Sequence, residues 1–280
     1  MENMENKKIP IFRHLEDNDD LSKNRDGSLL EGQEVVAEKL TKQIYDQYIT
    51  PDCKAVFIIC SSKKRSFETA EIISSNLKEI NPELKVRIAS EASLREIDQG
   101  KIIIPTEYNA GDKFEGLQLA GRIFFKEVFA GDKEGGVDNY SYRYSDPLLL
   151  ENGNYKYPEL LKYFSEPGES YKDILVRVYE QIVHFSNEVD RFNDKTKFIV
   201  CSHKQIAQIF EDLLEASDLI EKEKIPFKQG DLPRVCWELF KKRTKKGLGV
   251  GEFEFISIGK LFNRKMIELL EKEIEFLKDN

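Results

Sequence analysis

Three short apolar runs, each followed by a stretch with helical spacing, constrain this chain more than any other feature. The runs are Ile9-Pro10-Ile11-Phe12, Ala55 to Cys60 and Lys197 to Cys201. A bounded apolar run of this length reads as a buried strand. Between them, Leu29 to Ile49 carries Val35, Val36, Leu40 and Ile44 at helical intervals, and Ser66 to Ile80 does the same with Ala70, Ile72, Ile73 and Leu77. Lys85 to Ala89 reads as a third strand, Tyr171 to Val189 as a helix, and Gln205 to Leu214 as another. This β-α-β-α order predicts an α/β fold of three layers, α/β/α, with a mostly parallel central sheet. Val235 to Phe240 and Glu252 to Ile258 are expected as late strands forming a hairpin at the sheet edge. The basic run Lys241 to Lys246, beside Gly247 and Gly249, then reads as the hairpin's solvated loop.

The segment from about Pro105 to Pro167 breaks the alternation. It holds Gly111, Gly116, Gly121, Gly131, Gly135 and Gly136 together with Tyr140, Tyr142, Tyr144, Tyr155, Tyr157 and Tyr163. A connection this long inside a compact domain is read as a functional insertion, here an ordered cap. Leu261 to Asn280 spaces Leu261, Met266, Leu269, Leu270, Ile274 and Leu277 as one face of an amphipathic helix. The expected organisation is one domain over residues 1–262 with a cap insertion at about 105–166, followed by a C-terminal helix over 263–280. Packing of that helix on its own domain is favoured over packing on a partner chain, and a homodimer is compatible with either.

Composition narrows the function. The chain has 280 residues, 40% of them apolar, which is enough for a sizeable core. Its formal charge of −8 disfavours nucleic acid and anionic membrane as partners. No apolar run approaches a membrane span, and Met1 to Asn6 lacks the basic and apolar regions of a signal peptide. Four cysteines do not make a disulfide framework, and Cys60, Cys201 and Cys236 lie in strand-like runs as buried thiols. A soluble, cytoplasmic protein is expected.

Chemistry concentrates at the ends of the strands. Arg13-His14 closes the first apolar run and Ser202-His203 closes the last. In open α/β sheets ligands bind outside the carboxyl ends of strands, so two imidazoles and a guanidinium are expected over one edge. Arg65, in Ser61-Ser62-Lys63-Lys64-Arg65-Ser66-Phe67-Glu68-Thr69-Ala70, falls between a strand end and a helix start, where free backbone N–H groups favour an anion. Glu96 lies in the turn-like Leu94-Arg95-Glu96-Ile97-Asp98-Gln99-Gly100. Pro167-Gly168-Glu169-Ser170 opens a helix, with Ser170 and Asp173 forming a loose capping box.

Taken in order, these clusters resemble the signatures of the histidine phosphatase superfamily, the phosphoglycerate-mutase-like proteins. Arg13-His14 corresponds to its R-H-G motif, Ser61 to Ala70 to its S-P-x-x-R-A-x-Q-T-A segment, and Leu94-Arg95-Glu96 with Gly100 to L-x-E-x-x-x-G. Pro167 to Ser170 corresponds to P-x-G-E-S, and Cys201-Ser202-His203 to the final S-H-G. The resemblance runs from Ile9 to about Phe210 and implies catalytic roles for His14, Glu96 and His203. His14 would be the nucleophile that forms a phosphohistidine, and Glu96 the proton donor. Arg13, Arg65 and His203 would surround the phosphate oxygens. The implied function is a phosphomonoester hydrolase acting on a small phosphorylated substrate, with no cofactor. The alternatives are a non-catalytic member that binds phosphorylated ligands or partners, and a phosphomutase, whose N-E-R-x-Y-G segment this chain lacks. His184 matches no motif and is read as structural.

Three departures bear on that implication. Leu15 stands where the family carries glycine and is expected to add bulk beside the phosphate pocket. Glu16 to Asp20 is strongly acidic, and Lys204 replaces the last glycine of S-H-G, where it is placed to meet substrate or offset those acids. No close ligand spacing of a metal site occurs, and there is no phosphate-binding G-x-x-x-x-G-K-[ST] loop or G-x-S-x-G elbow.

Overall fold

The computed structural model describes residues 8–16, 28–96, 101–102, 164–166, 169, 171–189, 195–222, 228–243, 248–257 and 264–279. Five strands form the main sheet: β1 Lys8–Arg13, β2 Ala55–Ser61, β3 Lys85–Glu91, β6 Thr196–Ser202 and β7 Phe253–Ser257, in the order β3-β2-β6-β1-β7. Two further short strands, β4 Lys101–Ile102 and β5 Phe164–Glu166, pair antiparallel apart from it. The first four strands of the sheet run parallel, and only β7 is antiparallel, against β1. The helices are α1 Gln33–Tyr48, α2 Lys64–Ile80, α3 Tyr171–Val189, α4 Lys204–Glu221, α5 Leu232–Arg243 and α6 Arg264–Asp279. The expected α/β architecture is therefore the observed one.

The sheet sorts its side chains by the period of two that a strand imposes. Val56, Ile58 and Cys60 of β2 and Ile199 and Cys201 of β6 join Leu40 and Ile44 of α1 and Ala70, Ile73 and Leu77 of α2 in one apolar cluster. Their alternates, Ile59 of β2 with Phe198 and Val200 of β6, join the other cluster, built on α3, α4, α5 and α6. Because both faces are covered, these strands read as continuous apolar runs. The same double cover leaves the strand ends as the edge open to a ligand.

Several boundaries differ from the sequence reading. α1 begins at Gln33, not Leu29, because Gly32 sits at φ 84° with open space around its Cα; a left-handed backbone, not crowding, calls for glycine there. Leu29 instead donates its N–H to the Glu68 carboxylate at 2.9 Å. α2 begins at Lys64, so Arg65 lies inside its first turn.

The expected strand over Val235 to Phe240 is the larger correction. This stretch lies in α5, which buries Leu232, Val235, Cys236 and Leu239, spaced i, i+3, i+4 and i+7. The β-branched and aromatic residues of Val235-Cys236-Trp237 mimic a strand, but packing against α4 selects the helix, and Trp237 meets the Tyr171 ring edge-on at 4.9 Å between centroids. Among the described residues no hairpin forms there, and β7 pairs with β1 alone. Lys241, Lys242 and Arg243 consequently end a helix, and residues 244–247 lie outside the described set.

The C-terminal helix α6 packs on its own chain. Leu270, Ile274 and Leu277 are buried in the same core as α3 and α4, and Lys278 pairs with Glu180 at 2.6 Å. Glu273, also buried, accepts the Gly230 N–H at 2.8 Å just before α5. Of the proposed cap, only Phe164–Glu166 is described. All four cysteines are free and buried. Burial pushes the Cys60 thiol up to about 12 and the Cys201 thiol well above its ordinary value, so neither is a ready thiolate for redox chemistry.

Candidate active site

The register of the sheet brings the two motif histidines together. Arg13 of β1 lies opposite Ser202 of the parallel strand β6, so the next residues, His14 and His203, leave the sheet side by side. The His14 N–H donates to the Ser202 carbonyl at 2.9 Å, extending the ladder one step beyond the strands. The two rings stand 4.9 Å apart between centroids at 62°. Both are almost wholly enclosed, His14 at 3% and His203 at 0% exposure.

His14 is held in one tautomer. Its Nδ1 lies 2.6 Å from the Leu15 carbonyl, an oxygen that can only accept, so Nδ1 carries the hydrogen and Nε2 keeps its lone pair. Burial lowers the imidazole to about 3, opposed by the Leu15 hydrogen bond and reinforced by the Arg65 and Arg13 cations. The ring is therefore neutral across the physiological range. Burial also lowers His203 well below its ordinary value, with His14, Arg65, Lys63 and Arg177 adding to the effect. Its Nε2 lies 2.9 Å from Ser61 Oγ, and its Nδ1 lies 3.8 Å from Glu96 Oε2.

Around the histidines the other motif residues close in. Arg65 pairs with Glu96 through Nη2 and Oε2. Arg13 is half-buried at the end of β1, close enough for its charge to act on His14. Two helices start here, α2 after Lys63 and α4 after His203, each without a side-chain cap on its first N–H groups. The positive pole of each helix makes both termini favourable for an anion. All five residues singled out from the sequence, Arg13, His14, Arg65, Glu96 and His203, thus gather at the carboxyl edge of β1, β2 and β6.

The Leu15 side chain is fully buried in the apolar cluster that includes Phe12, Leu40, Ala70 and Ile73. Thr69 fixes this path by accepting the Leu15 N–H at 3.1 Å while donating to the Arg65 carbonyl at 2.7 Å. One hydroxyl thus ties the loop after His14 to the helix carrying Arg65. Of the acidic stretch, Glu16 is exposed and uses its backbone to meet Gln33 and Leu30, and residues 17–20 lie outside the described set. Lys204 is the first residue of α4 and half-buried. His184 is exposed on α3, and Ser170, the expected cap of that helix, lies outside the described residues.

A second layer was only partly legible. Ser202 Oγ donates to the Leu94 carbonyl at 2.9 Å, and Arg177 forks onto Glu169 through Nε at 2.8 Å and Nη2 at 3.0 Å. Arg95 reaches the same carboxylate at 2.7 Å. Glu169 and Ser202 belong to motifs named above, and Arg177 closes the segment that opens with Pro167-Gly168-Glu169-Ser170, read from the sequence as framework with no role given to the arginine. It is a cation on the apolar face of α3, one turn after Ile174 and beside Val178.

The fold and site together define an open α/β sheet with a cationic, histidine-paired pocket at its carboxyl edge, a class suited to phosphoryl chemistry. No protein-family model and no curated protein sequence matches the chain. Solved structures do resemble it. The product of the open reading frame Rv3214 of Mycobacterium tuberculosis is 12% identical, with 89% of this chain and 90% of that chain covered at a TM-score of 0.46. The alpha-ribazole phosphatase of Shigella flexneri is 14% identical over 89% and 90% of the two chains, with a TM-score of 0.44. A phosphoglycerate mutase of Bacillus anthracis is 13% identical over 96% and 98%, also at 0.44. Among the described residues no group of three or more His, Cys, Asp or Glu is arranged to hold a metal ion, and no helix is long and apolar enough to cross a membrane.

Proposed function

We propose that this protein is a cytoplasmic, metal-independent phosphomonoester hydrolase of the histidine phosphatase type, with His14 as its nucleophile. The observation that carries the reading is the neutral His14, its Nδ1–H bound to the Leu15 carbonyl and its Nε2 lone pair beside His203 and Arg65. A nucleophile needs that lone pair, and ordinary imidazole would be partly protonated near neutral pH.

The chemistry follows in two displacements. Arg13, Arg65 and the helix termini draw the phosphoryl oxygens in, and the phosphate displaces Glu96 from Arg65; the freed carboxylate takes up the proton of the incoming monoanionic ester. His14 Nε2 forms a bond to phosphorus as the ester P–O bond breaks, and the leaving oxygen takes that proton from Glu96. Water then attacks the phosphohistidine, Glu96 recovers a proton from it, and the P–N bond breaks to release inorganic phosphate and neutral His14. The guanidinium groups offset charge on the equatorial oxygens through both steps, where positioning and electrostatics do most of the work.

The alternative is a phosphate-binding protein without turnover, motivated by Leu15 and the acidic residues that follow it. Turnover of p-nitrophenyl phosphate in the presence of chelator, with acid-labile phosphate trapped on the protein, tests the proposal. His14→Ala should lose the label and roughly a thousandfold or more of the rate. Wild-type turnover no faster than the variant would sink it, and phosphate binding without label would favour the non-catalytic reading.

A further inference from the structure

The segment that carries Glu96 is not held by a ladder. β3 ends at Glu91, a single 3-10 turn spans Ala92–Leu94, and Arg95 and Glu96 follow in irregular backbone. Irregular backbone at a sheet edge must have its carbonyls satisfied by side chains or water. Three of the four successive carbonyls from Ser93 to Glu96 are taken by side chains of two other elements. Arg177 Nη1 donates to the Ser93 carbonyl at 2.5 Å, Ser202 Oγ to the Leu94 carbonyl at 2.9 Å, and Arg177 Nη2 to the Glu96 carbonyl at 3.4 Å. Ser93 Oγ also donates to Gln181, one turn along α3 from Arg177.

Arg177 is itself fixed. Glu169 takes its Nε and Nη2 as a fork, and the same carboxylate holds Arg95, the residue before Glu96. Arg177 and Glu169 are both buried, at 8% and 9% exposure, so this charge-assisted network sits where it is stiff. The guanidinium plane serves three different acceptors at once, a geometry that a lysine ammonium on a flexible stem does not reproduce.

We infer that Arg177, locked by Glu169, is a positioning residue for the acid: it sets the backbone from which Glu96 reaches the leaving oxygen. This rests on the reading of Glu96 as proton donor. The consequence is specific, because help from an acid matters most when the departing oxygen is a poor leaving group. A misplaced Glu96 therefore penalises alkyl esters more than a nitrophenyl ester, whereas general damage to the pocket penalises both alike.

The test compares kcat/KM, which reports the first phosphoryl transfer, for ethyl phosphate and p-nitrophenyl phosphate. Arg177→Lys should lose about tenfold more on ethyl phosphate than on the nitrophenyl ester, a part of the 10²–10⁴-fold that a positioned acid supplies. Inorganic phosphate binding should change less than kcat. In a Glu96→Gln background the same substitution should cost little further, since the group it positions is already disabled. Equal losses on both esters, or full additivity with Glu96→Gln, would overturn the inference. If Arg177→Lys fails to fold, Glu169→Gln keeps the shape, weakens the fork and carries the same comparison. A wild-type protein that forms no phosphohistidine defeats the hydrolase reading as a whole. Phosphohistidine formation with equal losses defeats only the role of Arg177.

Discussion

The floor and the wall of the pocket are built by opposite means. The floor, His14 beside His203, follows from strand register: once Arg13 faces Ser202, the two rings must emerge together, and backbone hydrogen bonds hold them. The wall, Glu96, follows irregular backbone held by side chains from α3 and β6. A ladder is cooperative and sealed by the core, whereas a side-chain clamp can lose one member and let its segment shift. His14 is thus set by the fold, and Glu96 by a few polar contacts added to it.

The largest effect that would sharpen this contrast is expected at the wall. Glu96→Gln removes the proton but keeps the shape, and should lower turnover of an ethyl ester by about 10²-fold or more while phosphohistidine still forms from the nitrophenyl ester. If both esters lose equally, Glu96 is not the acid and the two-part description fails.

A second test probes the floor from below. Leu15→Ala deletes a fully buried side chain and should destabilise the protein by about 2–5 kcal/mol in denaturant titration, with phosphate affinity of the folded fraction retained. Lost affinity with intact stability would place the Leu15 side chain at the phosphate and not in the supporting core.

The smallest effect concerns pH. His14 titrates at its ordinary 6.5 when unfolded and at about 3 when folded. Between those values the unfolded chain binds a proton that the folded chain does not, so stability is fully present above about pH 6.5 and is lost as pH falls toward 3. At pH 5 the cost is about 2 kcal/mol. His14→Asn should therefore lose less stability between pH 7.5 and pH 5 than wild type, by about that amount in thermal or denaturant melts. Identical losses would mean that the ring is not held neutral by burial.

Much of this was legible in the chain itself. The apolar runs gave the buried strands because a parallel sheet covered on both faces has no polar side to display. The motif residues could be named because phosphate chemistry needs guanidinium and imidazole at strand ends and helix starts. The expected strand over Val235 to Phe240 shows where the reading stopped. Val235-Cys236-Trp237 has strand-like residue types, but local preference is a weak guide when burial against another element is at stake, and Trp237 packs against Tyr171.

Sequence alone determined the layered α/β architecture and the identities of the five residues at its edge. It did so because hydrophobic period and residue chemistry are local properties. Only the tertiary structure decided that His14 is neutral, with Nε2 carrying the lone pair, since that depends on burial and on which oxygen lies at Nδ1. It alone revealed the contact of Arg177 with the backbone of Glu96, 81 positions away, which exists only when α3 packs over the end of β3.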